Sequence, residues 1–279
     1  MKILLTGGNG FIGKEFQDAF ADRHIITAPP HSEMDAADER RAEQVIREVE
    51  PEVIIHLAGL VDKDTCEREP ERAMRTNAES TRIMATAAAK YGIFFFYLST
   101  DLVFSGDRNK PYVESDVTSP ANSYGRSKLQ GEKYIREICD YDNYLIVRTS
   151  GIFGRHGKNF LSTLVRKMQT EPSVKLVDDR ISSFTYAPDL ADAAGNLLEA
   201  RASGILHLVN AGACTAWDFA LHIKERLSLS TRFEKFGADD YERHAPIPRY
   251  RVLASEYSPP KHPPLRAWDA ALDEFIDSM

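Results

Sequence analysis

Residues 2–13 read KILLTGGNGFIG. KILLT (2–6) is a short apolar run of the kind that makes a buried strand. Directly after it come Gly7, Gly10 and Gly13, and then Phe11, Ile12, Phe16, Ala19 and Phe20 recur at helical spacing. A strand that turns through glycines into a helix is the opening of a βαβ unit. Gly7 permits a tight turn, Gly10 lets backbone approach a pyrophosphate, and Gly13 lets the helix pack close to the strand; the free N–H groups of the helix then face phosphate. The spacing is GxxGxxG rather than GxGxxG, and a purely structural turn uses the same residue types. The position in the first βα unit makes dinucleotide binding the reading, with Gly7, Asn9, Gly10, Phe11, Ile12 and Gly13 as the candidate contacts.

Working outward, the pattern repeats. HIITA (24–28), EVIIHLAG (52–59), IFFFYLST (93–100) and YLIVRTS (144–150) read as strands. Helices are expected over 37–50, over a long stretch ending at Gly92, and over 124–139. Strands alternating with helices, and strands apolar on both faces, predict an α/β fold: a Rossmann-type doubly wound parallel sheet. After Thr149 the pattern loosens, with helices expected over 160–168, 188–200 and 217–227, a strand over 204–210, and a short amphipathic helix near 272–276. The expected division is a dinucleotide-binding domain over 1–150, with 186–210 packing back onto it. A smaller α/β lobe over 151–185 and 211–279 would then bind substrate at the carboxyl edge of the sheet.

Composition narrows the partners. A net charge of −7 over 279 residues leaves no basic footprint for nucleic acid or an anionic membrane. No run approaches the length of a membrane span, and the apolar start before Gly7 is too short for a secretory segment. Cys66, Cys139 and Cys214 are scattered, which fits a reducing compartment and a cytoplasmic protein. The eight histidines have no metal-ligand spacing, so no metal is expected. A monomer or a homodimer fits equally.

At the end of the second strand, NAD sites carry an acid for the ribose 2′-hydroxyl. Here Ala28, Pro29 and Pro30 stand there, with Lys14, His31 and Ser32 available to a 2′-phosphate. NADP is therefore favoured over NAD, with Asp35 a candidate contact to the adenine.

Two polar stretches carry chemistry. STD (99–101) ends the fourth strand and puts Thr100 at the carboxyl edge of the sheet, where a hydroxyl that merely caps backbone is the plain alternative. SYGRSK (123–128) starts a helix in which Tyr124 and Lys128, one turn apart, share a face. The strand, loop and helix would bring Thr100, Tyr124 and Lys128 together beside the cofactor. An ammonium beside a phenol favours phenolate and lowers the tyrosine pKa, which suits acid/base work near neutral pH. Lys128 would also hold the nicotinamide ribose, and Thr100 the substrate oxygen.

These stretches together resemble the extended short-chain dehydrogenase/reductase superfamily, and within it the dTDP-4-dehydrorhamnose reductase group. STDLVFSG (99–106) is similar to the group's STDYVFDG, PYVESDVTSPANSYGRSKLQGE (111–132) to its run through NPxNxYGxSKxxGE, RTSGIFGRHGKNF (148–160) to RTSWVYxxxGxNF, and TYAPDLADA (185–193) to PTYxxDLA. The resemblance implies an NAD(P)H-dependent reductase of a nucleotide-activated keto sugar. It assigns Asn77, Thr100, Tyr124 and Lys128 to proton transfer, and adds Leu57, Ala58, Gly59 and Ser99 as cofactor contacts. Thr100, Asp101, Leu102, Tyr124, Gly151, Asn159 and Arg180 would meet the substrate. Lys158, Arg180, Arg249 and Arg251 are candidates for its diphosphate, as arginine forks suit phosphate oxygens. Leu102 stands where the group has tyrosine, Gly151 where it has tryptophan, and Phe184 where it has proline. The implied sugar pocket is therefore altered, and a different keto sugar stays open. So do an epimerase of the same superfamily and a non-catalytic NADP-binding regulatory subunit.

Overall fold

The computed structural model describes residues 1–157, 160–240, 243–257 and 264–279, and of Asp239 the backbone only. Asn159 and Lys158, expected near the substrate, lie outside the described residues.

The chain runs β1 (Lys2–Thr6), α1 (Phe11–Phe20), β2 (Ile25–Thr27), α2 (Glu39–Val49), β3 (Val53–His56) and a short helix α3 (Lys63–Arg68). Next come α4 (Pro70–Ala73), a π turn over Met74–Glu79 and α5 (Ser80–Tyr91), which stops at Gly92 with φ +66°. The long helix expected here is thus widened by one π turn in its middle, a feature often found where a side chain must be re-aimed. Then follow β4 (Phe94–Thr100), α6 (Ser123–Ile138), β5 (Tyr144–Thr149), β6 (Ile152–Phe153), α7 (Phe160–Thr170), β7 (Ser173–Val177), β8 (Ile181–Ser182) and β9 (Thr185–Tyr186). The remainder is α8 (Ala187–Glu199), β10 (Gly204–His207), β11 (Asn210–Ala211), β12 (Cys214–Thr215), α9 (Ala216–Arg226), β13 (Arg232–Phe236), β14 (Tyr250–Arg251), β15 (Leu265–Ala267) and α10 (Trp268–Asp277).

Six strands form one sheet in the order β10-β5-β4-β3-β1-β2, every neighbouring pair parallel. This is the doubly wound parallel sheet expected from the sequence. Alternate residues of a strand point to opposite faces. Phe94 and Phe96 join Ile3, Leu5, Val147 and the buried sides of α1 and α8. Phe95 and Tyr97 join Leu4, Ile54, Ile146 and the buried sides of α2, α5 and α6. The chain leaves β1 for β2 on one side and returns to β3 on the other, so a switch point opens at the carboxyl ends of β1 and β3.

A further core gathers Phe153, Leu161, Leu164, Phe184, Tyr186, Phe219, Leu272 and Phe275. Among the described residues four small strand groups lie beside the main sheet, one of them β13 paired in parallel with β7. No helix of the described residues is long and apolar enough to cross a membrane. All three cysteines are free and buried.

Candidate active site

The glycine loop lies on the switch point. Gly7 has φ +73°, and a Cβ there would stand 2.8 Å from Ala58 N and 2.9 Å from the Leu57 carbonyl carbon. A Cβ on Gly13 would run into Gly7 O and stand 2.6 Å from Gly8 Cα. Only a chain bare at both positions can bring the β1–α1 turn against both α1 and the Leu57–Gly59 segment. At Gly10 a Cβ would meet only Gly7 O, at 3.2 Å. Helix α1 starts from Gly10 with no side-chain cap and no acid in its first turn. Its terminal N–H groups and the positive end of its dipole therefore face outward, which is what a pyrophosphate needs. The backbone N–H of Ala58 donates to Thr6 Oγ1 at 3.2 Å, holding the β3 segment to the end of β1.

Asn77 sits in the π turn, fully buried. Its Oδ1 accepts from Leu60 N at 2.6 Å, and its Nδ2 donates to Leu60 O at 3.0 Å and to Ser127 Oγ at 2.9 Å. The amide thus clamps the segment after Gly59 to the helix that carries Tyr124 and Lys128. The Ser99 hydroxyl donates to buried Glu132 at 2.5 Å, and Glu132 in turn pairs with Arg148 at 2.7 Å.

Thr100 and Tyr124 do come together at the carboxyl edge. Helix α6 begins at the Asn122 cap, whose side chain accepts from Gly125 N at 2.8 Å. Burial, and then the nearby Asp101 carboxylate and Cys66, push the Tyr124 phenol well above its ordinary range, while a hydrogen bond with Thr100 works the other way. Thr100 also donates to Asp101 Oδ1 at 2.9 Å.

Lys128, expected to act on Tyr124, is the more deeply buried of the two. The Lys128 ammonium lies 3.9 Å from the ring centroid of Tyr97, under α6, and burial lowers its own pKa to about 7 against the opposing pull of Glu132. The shared helical face puts the two Cβ atoms side by side, but the long lysine stem carries its charge toward β4. The ammonium stacked on the Tyr124 ring belongs to Lys63, at 5.3 Å from the centroid.

Around Asp101 the sequence reading also missed two partners. Asp101 Oδ2 accepts from Ser150 Oγ at 2.7 Å and from Arg251 Nη1 at 2.9 Å. Arg251, a candidate for the substrate diphosphate, pairs with this carboxylate. Neither Ser150 nor Lys63 stood in a stretch with a reactive pattern, and α3, only six residues long, gave no helical period to read.

The other expected contacts are spread out. Leu102 is 2% exposed and offers almost no surface. Gly151 has φ +50°, and a Cβ there would stand 2.7 Å from Ser183 O and 3.0 Å from Phe184 Cδ1. Asp35 accepts from Ala37 N at 2.9 Å and lies 3.9 Å from His31. Arg180 donates to Ala238 O at 3.3 Å, and Arg249 lies 3.8 Å from Asp179.

Comparison with known proteins gives the family. The family model of the RmlD substrate binding domain matches residues 1–279. A dTDP-4-dehydrorhamnose reductase of Mycolicibacterium smegmatis is 33% identical over 100% of this chain and 86% of its own length. A spore coat polysaccharide biosynthesis protein of Bacillus subtilis is 31% identical over 99% of this chain and 96% of its own. The crystal structure of dTDP-4-dehydrorhamnose reductase from Bacillus anthracis in complex with NADP superposes with a TM-score of 0.95 at 29% identity, covering 100% of both chains. The chain belongs to the RmlD substrate-binding-domain family.

Proposed function

We propose that the chain is an NADPH-dependent reductase of a nucleotide-activated keto sugar, of the dTDP-4-keto-6-deoxyhexose class. The observation that carries the reading is the half-buried Tyr124 phenol, close to Thr100 and Asp101 at the sheet edge that also holds the glycine loop. The loop from Gly7 to Gly13, with Leu57, Ala58 and Gly59 packed on it, would hold the dinucleotide, and Lys128 its nicotinamide ribose. When bound there, the reduced nicotinamide supplies a hydride to the substrate carbonyl carbon. Tyr124 gives its hydroxyl proton to the carbonyl oxygen, and Thr100 orients that oxygen. A phenol held well above its ordinary pKa stays protonated at neutral pH, ready to donate.

The absence of an acid at Ala28, Pro29 and Pro30, and the NADP bound by the Bacillus anthracis relative, both support NADP over NAD. The division of labour follows the two sets of cores: the sheet for the dinucleotide, the Phe153–Phe275 cluster for the sugar side. Three free, buried thiols support a reducing, cytoplasmic setting.

The test is NADPH and NADH oxidation with a dTDP-4-keto-6-deoxy sugar generated in the cuvette, for wild type and Tyr124→Phe. Loss of roughly a hundredfold or more in kcat, with NADPH binding kept, is expected of the variant. No wild-type turnover with cofactor still bound would favour an epimerase or a binding role.

A further inference from the structure

Helix α3 is a six-residue helix between β3 and α4, and three of its residues fasten it around Tyr124. Glu67 accepts from Ser123 N at 2.7 Å and lies 3.2 Å from Arg126, so its carboxylate sits on the start of α6. Asp64 accepts from Ala245 N at 3.0 Å, which ties α3 to the C-terminal part of the chain. Cys66 donates to Leu60 O at 3.3 Å and is fully buried. Lys63 is the first residue of this helix, just past its Asp62 cap, and its backbone position is therefore set from three sides.

The Lys63 ammonium is directed over the Tyr124 ring, within the range at which a cation and an aromatic face interact. The charged groups that face it come from four elements: Asp101 after β4, Arg251 on β14, Arg243 in the segment before β14, and Asp62 beside it. Burial and the two arginines disfavour its charge, and the two carboxylates favour it. Tyr124 in turn faces Asp101, Cys66 and Thr100. An ammonium brought this close to a phenol interacts with it far more strongly once the phenol has lost its proton.

We propose that Lys63 is a positioning residue for proton delivery: its ammonium stabilises the phenolate that Tyr124 becomes on protonating the substrate. The inference rests on the reductase reading above. In the step itself the carbonyl carbon gains a hydride, its oxygen takes the Tyr124 proton, and the C=O bond becomes CH–OH. The phenolate then regains a proton from water. Lys63 forms and breaks no bond; it lowers the energy of the charge left behind.

The experiment follows kcat/KM against pH for NADPH-dependent reduction of the dTDP-4-keto-6-deoxy sugar, in wild type, Lys63→Met, Lys63→Gln and Lys63→Arg. NADPH affinity and Tm are measured alongside. Removing the cation makes Tyr124 a weaker acid, so Lys63→Met and Lys63→Gln should lose about tenfold or more in kcat. The alkaline fall in rate that wild type shows as Lys63 itself loses its proton, below its ordinary pKa, should be absent from both. Lys63→Arg should recover most of the rate and hold it to higher pH than wild type, because a guanidinium keeps its charge, and NADPH affinity should stay near wild type in all three. An active wild type whose alkaline fall and rate are unchanged in Lys63→Gln overturns the proposal. Equal losses in all three variants with the alkaline fall unchanged also overturn it, in favour of a merely structural role. A wild type that binds NADPH but leaves the sugar unreduced removes the step itself, and with it both readings.

Discussion

Arg251 donates to Asp101 at 2.9 Å, joining β14 to the end of β4 through a carboxylate that is 4% exposed. The same carboxylate is bonded by Thr100 and Ser150. Arg251 Nε has no hydrogen-bond partner among the described residues, and Nη1 makes the pair with Asp101. Removing the negative charge leaves a half-buried cation poorly compensated, and also frees Thr100 from its neighbour. Asp101→Asn should lower stability by roughly 2 kcal/mol. It should also reduce kcat, because Thr100 loses its anchor. Urea midpoints and steady-state kinetics check this; an unchanged midpoint would mean that the ion pair contributes nothing net.

The glycine loop yields a contrast between two alanines. At Gly13 an added Cβ meets the backbone of Gly7 and Gly8, which cannot move without shifting β1 or α1. Gly13→Ala should cost about 1–3 kcal/mol and weaken cofactor binding as a consequence. At Gly10 the new methyl has room in the protein, its one neighbour at 3.2 Å, but it stands where phosphate would approach. Gly10→Ala should leave Tm within a degree or two while weakening NADPH binding by about tenfold or more, an effect near 1.4 kcal/mol. Paired melting curves and fluorescence titrations separate the two; equal Tm losses would contradict the assignment.

The parts that were legible in the sequence are those with a strong local period or a positional motif. KILLT followed by glycines, IFFFYLST and YLIVRTS each became a strand of the parallel sheet, and Thr100 and Tyr124 did meet at its edge. What was not legible depends on long-range packing. Spacing put Lys128 beside Tyr124, but spacing fixes Cβ positions and not where a four-carbon stem carries its charge. Arg251 and Asp101 are 150 positions apart, and their ion pair exists because β14 pairs with β8. β7 did have a readable signal, the alternation of Val174, Lys175 and Leu176, whereas in β13 Phe233 and Phe236 stand three apart and give no period of two.

Gly151 and Phe184 make a prediction about the sugar side. The glycine takes a left-handed φ of +50°, and the Phe184 ring beside it stacks on Phe219 at 4.4 Å. Putting tryptophan at 151 would strain the backbone and drive the side chain against Ser183 O and Phe184. Gly151→Trp should therefore destabilise by about 1–3 kcal/mol and should not improve turnover of a 4-keto-6-deoxy sugar. A stable variant with higher kcat/KM would show that this region opens more readily than its packing indicates.

His56 makes stability depend on pH. It is fully buried at the end of β3, with Nδ1 2.8 Å from Thr6 Oγ1 and Nε2 3.3 Å from Ser80 Oγ. Burial first, and the Lys128 charge second, lower its pKa to about 3 from the ordinary 6.5. In the unfolded chain the imidazole takes a proton as the pH falls through about 6.5, whereas in the folded chain it stays neutral down to about 3. Between those values the unfolded state binds more protons, so stability is present in full above about 6.5 and is lost progressively as pH falls toward 3. One such group contributes a slope of at most about 1.4 kcal/mol per pH unit. His207, lowered to about 4 chiefly by burial, adds a second group of the same sign. His56→Gln keeps a polar side chain for Thr6 and Ser80 but does not titrate. Whatever it costs at pH 7.5, the variant should lose less further stability than wild type between pH 6.5 and 4.5. Urea unfolding at pH 7.5, 6.5, 5.5 and 4.5 measures this directly. Parallel curves for the two proteins would mean that His56 is already charged, or already exposed, in the folded state.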